Sequence, residues 1–138
     1  MLGIDTNVLI RFLVRDDARQ FEIARSIIAG EVRAGRRIFV SLLVLQETEW
    51  VLRSRYGFSK HRILAVISGL LDAMDVELED EAAVEQAIFV WKDASAGFSD
   101  SLIGARNQRL GCRTTATFDL KASRLPWFVE AGGASSQD

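Results

Sequence analysis

Short apolar runs, each followed by a longer stretch with helical spacing, are the feature that most narrows the folds open to this chain. Leu2-Gly3-Ile4 leads into Asp5, and Ile38-Phe39-Val40 lies between Arg36-Arg37 and Ser41. Met74 to Glu79 alternates apolar with acidic residues, Cys112 to Phe118 is rich in threonine, and Trp127-Phe128-Val129 follows a proline. Runs this short, bounded by turn or cap residues, read as strands. The stretches between them carry apolar residues at i, i+3, i+4 and i+7, the pattern of helices with one covered face. Strands alternating with helices predict an α/β fold: a central, mostly parallel sheet of about five short strands with helices on both faces, a three-layer arrangement.

The helical stretches have local start and stop signals. Asp5 and Thr6 precede Val8, Leu9, Phe12 and Leu13; a second helix runs from after Asp17 to about Ala34, with Phe21, Ala24, Ile27, Ile28 and Val32 on one face. Ser41 is a cap for a third helix to about Arg55, Ser59 for a fourth carried by Ile63, Val66, Ile67, Leu70 and Leu71, and Asp80 for a fifth with Val84, Ala87, Ile88 and Trp91 inward. Ser99 is read as the cap of a sixth, which places Asp100 in its first turn and ends at Gly111. In the third helix Gln46, Glu49 and Arg53 fall together as a solvated face. Glu47 falls between Leu43 and Val51, with Trp50 one turn on, so that an acid interrupts an apolar stripe. A carboxylate buried there needs a partner, either a cation in an ion pair or a metal.

At 138 residues, 49% hydrophobic and 26% charged, the chain reads as one soluble domain over residues 1–131 with a disordered tail over 132–138. A net charge of −2 argues against a protein that coats nucleic acid by bulk charge, while leaving room for a local basic surface. The single cysteine, Cys112, excludes an internal disulfide framework and is read as a small buried residue; His61, the only histidine, is read as exposed. Asp5 comes too early for a signal peptide to precede it, and no apolar run approaches membrane-spanning length, so a cytoplasmic protein without a membrane partner is expected.

Four acids stand apart from the solvated charge. Asp5 and Asp119 each follow the C-terminal end of a strand, the edge at which open α/β sheets place their ligands. Asp100 begins a helix, and Glu47 lies within an apolar stripe. Taken singly, Asp5 reads first as a helix cap, and each of the others has a structural explanation. Taken together, they form a carboxylate set that would repel itself unless a hard divalent cation neutralised it. Mg²⁺ is such a cation: it takes oxygen ligands and works with few carboxylates, several waters and substrate phosphate. No Ser-His-Asp or Cys-His arrangement competes with that reading.

Along nearly its whole length the chain resembles PIN-domain proteins, and in particular the VapC-type ribonuclease toxins of bacterial toxin-antitoxin pairs. The resemblance is carried by Asp5-Thr6-Asn7-Val8-Leu9-Ile10-Arg11, by Glu47 with Trp50-Val51-Leu52-Arg53-Ser54-Arg55-Tyr56-Gly57, by Phe98-Ser99-Asp100-Ser101-Leu102-Ile103 and by Thr117-Phe118-Asp119-Leu120-Lys121. It implies a PIN-like nuclease domain whose metal-binding and catalytic acids are Asp5, Glu47, Asp100 and Asp119, supported by the polar residues Asn7 and Thr117. It further implies Mg²⁺- or Mn²⁺-dependent cleavage of RNA, a homodimer and a small cognate antitoxin as partner. Many relatives have Ala where this chain has Ser101, and a further Asp where it has Gly97, so one firmly bound ion is expected rather than two. Arg11, Arg15, Lys121 and Arg124 stand near the acids as candidate contacts to RNA phosphates. The competing readings are a non-catalytic PIN-like module that binds a partner protein, and a phosphatase or DNA nuclease built on the same acids.

Overall fold

A computed structural model describes residues 1–133, and the chain divides into two compact units, the first Met1–Glu79 and the second from Asp80 onward. In the first unit β1 (Leu2–Gly3), β2 (Ile38–Val40) and β3 (Val76–Leu78) form a parallel sheet in the order β1-β2-β3, with Leu2 opposite Ile38 and Ile38 opposite Val76. Parallel neighbours need long crossovers. Here α1 (Thr6–Val14) and α2 (Ala18–Arg33) lie between β1 and β2, and α3 (Leu42–Ser54) and α4 (Lys60–Asp72) between β2 and β3.

Each of these helices starts where a short polar side chain takes an orphan backbone N–H. Asp5 accepts from Val8, Asp17 from Gln20, Ser41 from Val44 and Ser59 from Arg62. Such caps typically contribute about 1 kcal/mol each. Ile38 and Val40 of β2, Leu45 and Leu52 of α3, and Ile63 and Ile67 of α4 are among the most deeply buried side chains of the unit. Removing side chains of this kind from water contributes roughly 1.5–3 kcal/mol apiece.

In the second unit α5 (Glu81–Trp91) packs on α6 (Phe98–Arg109), and β4 (Thr115–Thr117) pairs in parallel with β5 (Phe128–Glu130). Trp91 and Phe98 meet with ring centroids 5.3 Å apart at 60°, a tilted geometry that aromatic quadrupoles favour. Asp80 does more than cap α5. Its side chain is only 4% exposed and accepts from the backbone N–H of Ala83, from Arg106 Nη1 and from Arg109 Nε. It therefore joins the start of α5 to the last turn of α6. Gly104 of α6 has no room for a side chain: a Cβ there would lie 2.6 Å from Cε2 of Phe128 and 2.9 Å from Cε3 of Trp127.

Several expectations are corrected. The strands form a sheet of three and a sheet of two, not one sheet of five. The Thr115 N–H donates to the carbonyl of Trp127 and the Ala131 N–H to that of Thr117, so β4 finds its partner across a short connection through a 3-10 turn (Ala122–Arg124). On α3 the two faces exchange roles. Leu45, Thr48, Glu49 and Leu52 are buried, whereas Leu43 (78% exposed), Glu47 and Trp50 (55%) lie outward. Glu49, not Glu47, is the buried acid, and Arg53 Nε pairs with it at 2.9 Å. An i,i+4 arginine lets that carboxylate turn inward while the guanidinium reaches water. Cys112 is exposed, because it follows Gly111 in the turn after α6 rather than lying in a strand. The cap of α6 is Gly97, so Ser99 lies inside the helix, and Asp100 keeps its first-turn position.

The tail expected over 132–138 begins with a turn, in which the Gly133 N–H donates to Glu130; residues 134–138 lie outside the described residues. No helix among the described residues is long and apolar enough to cross a membrane.

Candidate active site

In the first unit β1 delivers the chain to Asp5. Its Oδ1 accepts from the Val8 N–H at 3.0 Å, and the exposed side chain makes no other hydrogen bond among the described residues. The cap orients the carboxylate without exhausting its lone pairs. Thr6, the next residue, donates its hydroxyl to Oε1 of Glu47 and so ties the first turn of α1 to α3. Asp5, Thr6, Asn7 and Glu47 line one cavity of about 280 Å³ together with Arg11, Arg55 and Tyr56. Asn7 also borders, with Asp5, a second cavity of about 270 Å³ along α1 and α2.

The cations around these acids differ in how far they are already engaged. Arg11 donates through Nε to Gln20 and through Nη1 to Asp16 (3.0 Å) and to the Tyr56 hydroxyl (3.3 Å). The Tyr56 hydroxyl in turn donates to Asp16 Oδ2 at 2.8 Å. Those bonds and the neighbouring arginine hold the Asp16 carboxyl below its ordinary range, against the opposing effect of partial desolvation. Arg15 closes α1 in a left-handed conformation (φ 61°), with its guanidinium 4.6 Å above the ring of Phe21. Two of the four cations singled out in the sequence are thus committed to local structure. Arg55, which was not singled out, lines the Asp5–Glu47 cavity and has no ion pair or side-chain hydrogen bond among the described residues. In the sequence it stands only as one member of the Trp50–Gly57 block that carries the family resemblance.

In the second unit α6 presents a half-buried Asp100 from its first turn, and Asp119 follows β4 by two residues. The Asp119 backbone N–H donates to the Thr117 hydroxyl at 3.0 Å, and its Oδ1 accepts from Ala122 at 2.9 Å, which fixes the carboxylate at the head of the 3-10 turn. Thr117 therefore stands beside the acid it was expected to support. Burial pushes the Asp100 carboxyl above its ordinary range, and the nearby charge of Asp119 adds to the shift. Lys121 and Arg124 are exposed on the same turn. The Asn107 side chain donates to the Thr115 hydroxyl at 3.0 Å and so joins α6, which carries Asp100, to β4, which leads to Asp119.

These donors are hard oxygens, the type that Mg²⁺ and Mn²⁺ prefer. Among the described residues no three His, Cys, Asp or Glu side chains are gathered into a ready-made cation cage. The carboxylates are engaged locally instead: Asp5 and Asp119 cap backbone N–H groups, and Glu47 takes the Thr6 hydroxyl. Such a donor set suits an ion that keeps several waters better than one that needs an all-protein shell.

The PIN domain family matches residues 3–127, which span all four acids, and the chain belongs to that family, whose members are in general metal-dependent nuclease modules. No curated protein matches the sequence.

Proposed function

We propose that this protein is a metal-dependent endoribonuclease, the toxin of a toxin-antitoxin pair, acting in the cytoplasm as a homodimer held in check by a small cognate antitoxin. The observation that carries the reading is the PIN match over residues 3–127, a range that contains the acids Asp5, Glu47, Asp100 and Asp119. A pure scaffold gains nothing from keeping Asp100 half-buried beside another carboxylate, because both effects disfavour its charge.

The residues that would hold Mg²⁺ or Mn²⁺ are these four acids. When bound, such an ion supplies a polarised water and a counter-charge for the leaving oxygen of a phosphodiester. The chain's own contribution is positioning. The α1 cap orients Asp5, Thr6 holds Glu47, and Thr117 with the Ala122 N–H holds Asp119. Asn7 adds an amide to the cavity beside Asp5.

Asp5→Asn tests the reading with little risk to the fold, since Asn caps helices as well as Asp does. The variant is expected to lose cleavage of single-stranded RNA in Mg²⁺ or Mn²⁺ while keeping the parent's melting temperature. Undiminished cleavage would overturn the assignment of Asp5. Mg²⁺ or Mn²⁺ is expected to raise the melting temperature of the parent protein and to do so less in the variant. If the parent neither cleaves RNA nor gains stability from either ion, the non-catalytic binding module replaces the nuclease.

A further inference from the structure

We propose that Arg55 is the residue of the Asp5–Glu47 cavity that holds the substrate phosphate, and that Arg11, although it lines the same cavity, is a structural member of a closed network. The inference rests on the nuclease reading and adds to it a phosphate subsite and a division of labour between two arginines.

A polyanion approaching a cavity that holds two carboxylates is repelled unless a cation in the same cavity receives it. Two arginines, Arg11 and Arg55, line the cavity. Arg11 directs Nε to Gln20 and Nη1 to Asp16 and Tyr56, and its charge is met by Asp16. Turning it toward a phosphate would leave Asp16 without its cation and Gln20 without its donor. Arg55 is placed differently. Its backbone N–H donates to Val51 as the C-cap of α3, so its Cα is anchored two turns beyond Glu47, while its side chain has no partner among the described residues. Tyr56, the next residue, is fixed by Asp16 and Arg11, which gives the cavity a rigid wall beside Arg55. An arginine on a fixed backbone, exposed and unpaired next to oriented carboxylates, suits fork-like recognition of a phosphate.

The test uses the full chain and a labelled single-stranded oligoribonucleotide of mixed sequence. Binding is measured on the Asp5→Asn background by fluorescence anisotropy across a range of salt concentrations, and KM and kcat are measured with Asp5 intact. Arg55→Ala is expected to weaken binding and raise KM by about tenfold, the usual effect of losing one charge-assisted hydrogen bond, with an unchanged melting temperature. It should also reduce the slope of log affinity against log salt by about 0.7, the value of one phosphate contact on a single strand. Arg55→Lys should restore the slope. Arg11→Ala should instead lower the melting temperature while preserving the slope.

An Arg55→Ala protein with the parent's KM and salt slope overturns the proposal, as does an Arg11→Ala protein that loses the slope and keeps its stability. These outcomes are separate from failure of the nuclease reading. If the parent binds the oligonucleotide through Arg55 but cleaves no RNA in either metal, the subsite stands and the catalytic assignment falls.

Discussion

Adding one methyl group at Gly104 is expected to destabilise the second unit, although alanine is the better helix former. In a helix interior Gly→Ala gains about 1 kcal/mol of propensity. Against that gain, the new Cβ would lie 2.6 Å from Phe128 Cε2, 2.9 Å from Trp127 Cε3 and 3.1 Å from Trp127 Cβ, where ordinary contact begins at 3.4 Å. The nearest ring would have to withdraw by about 0.8 Å, and because the contacts come from two adjacent residues, no single rotamer change relieves them all. Overpacking of this kind costs roughly 1–3 kcal/mol, and two ring contacts place it in the upper part of that range, for a net loss of about 1–2 kcal/mol. The displacement has a second effect. Gly104 lies one turn after Asp100, and the residues it would push begin β5, which pairs with β4 ahead of Asp119. Moving β5 away from α6 therefore moves Asp119 relative to Asp100, and misplacement of reacting groups by ~1 Å can lower a rate by about 100-fold. Urea titration of parent and variant gives the stability difference, and RNA cleavage under conditions where both are folded gives the rate. Adding Phe128→Leu to Gly104→Ala should recover part of the stability. A Gly104→Ala protein that is more stable than the parent and equally active would refute the reasoning.

Two further outcomes follow from buried polar groups. Burial opposes charge on Asp80, but hydrogen bonds from Arg106, the Ala83 N–H and Arg109 outweigh it and hold the carboxyl below its ordinary range. A group depressed in this way stabilises the fold above its unfolded pKa, about 3.9, and loses that contribution as pH falls through the folded value. Asp80→Asn keeps the cap and tolerates the left-handed backbone (φ 54°), so it should cost on the order of 2–3 kcal/mol near pH 7 and progressively less in acid. Denaturant curves at several pH values check this, and a pH-independent difference would contradict it. The Thr48 hydroxyl is buried with no hydrogen-bond partner among the described residues. Thr48→Val should raise the unfolding free energy by about 1 kcal/mol, measured by thermal melting, whereas a loss would mean that the hydroxyl is satisfied.

Features determined within a few residues were legible in the sequence. Asp5, Ser41, Ser59 and Asp80 are recognisable as caps because the N–H each one takes lies three residues on. The α/β class and the parallel pairing followed from short apolar runs separated by helical spacing. Which strand pairs with which did not follow. A three-residue strand carries too little pattern to choose between partners, and β4 pairs with β5 because their connection is short. The faces of α3 were also ambiguous. The helical wheel separates Leu43-Glu47-Trp50 from Leu45-Glu49-Leu52, but each stripe holds two apolar residues and one acid, and only the surrounding packing decides which is covered. Arg11 looked like an RNA contact because its partners Asp16 and Gln20 lie beyond the end of α1, at no regular helical spacing, and reach it only through the turn into α2. Arg55 carries no assigned role within the Trp50–Gly57 block, since a cation without partners leaves no mark of its own in the sequence.

The outward face of α3 also equips the protein with its own optical probe. Trp50 is solvent-exposed one turn from Glu47, whereas Trp91 is enclosed against Phe98 in the other unit. A hydrated indole emits at longer wavelength than an enclosed one, and collisional quenchers reach it first. Events at the Glu47 side of the cavity can therefore be followed by intrinsic fluorescence, without a label, in the same cuvette in which Trp91 and the half-buried Trp127 report the integrity of the second unit.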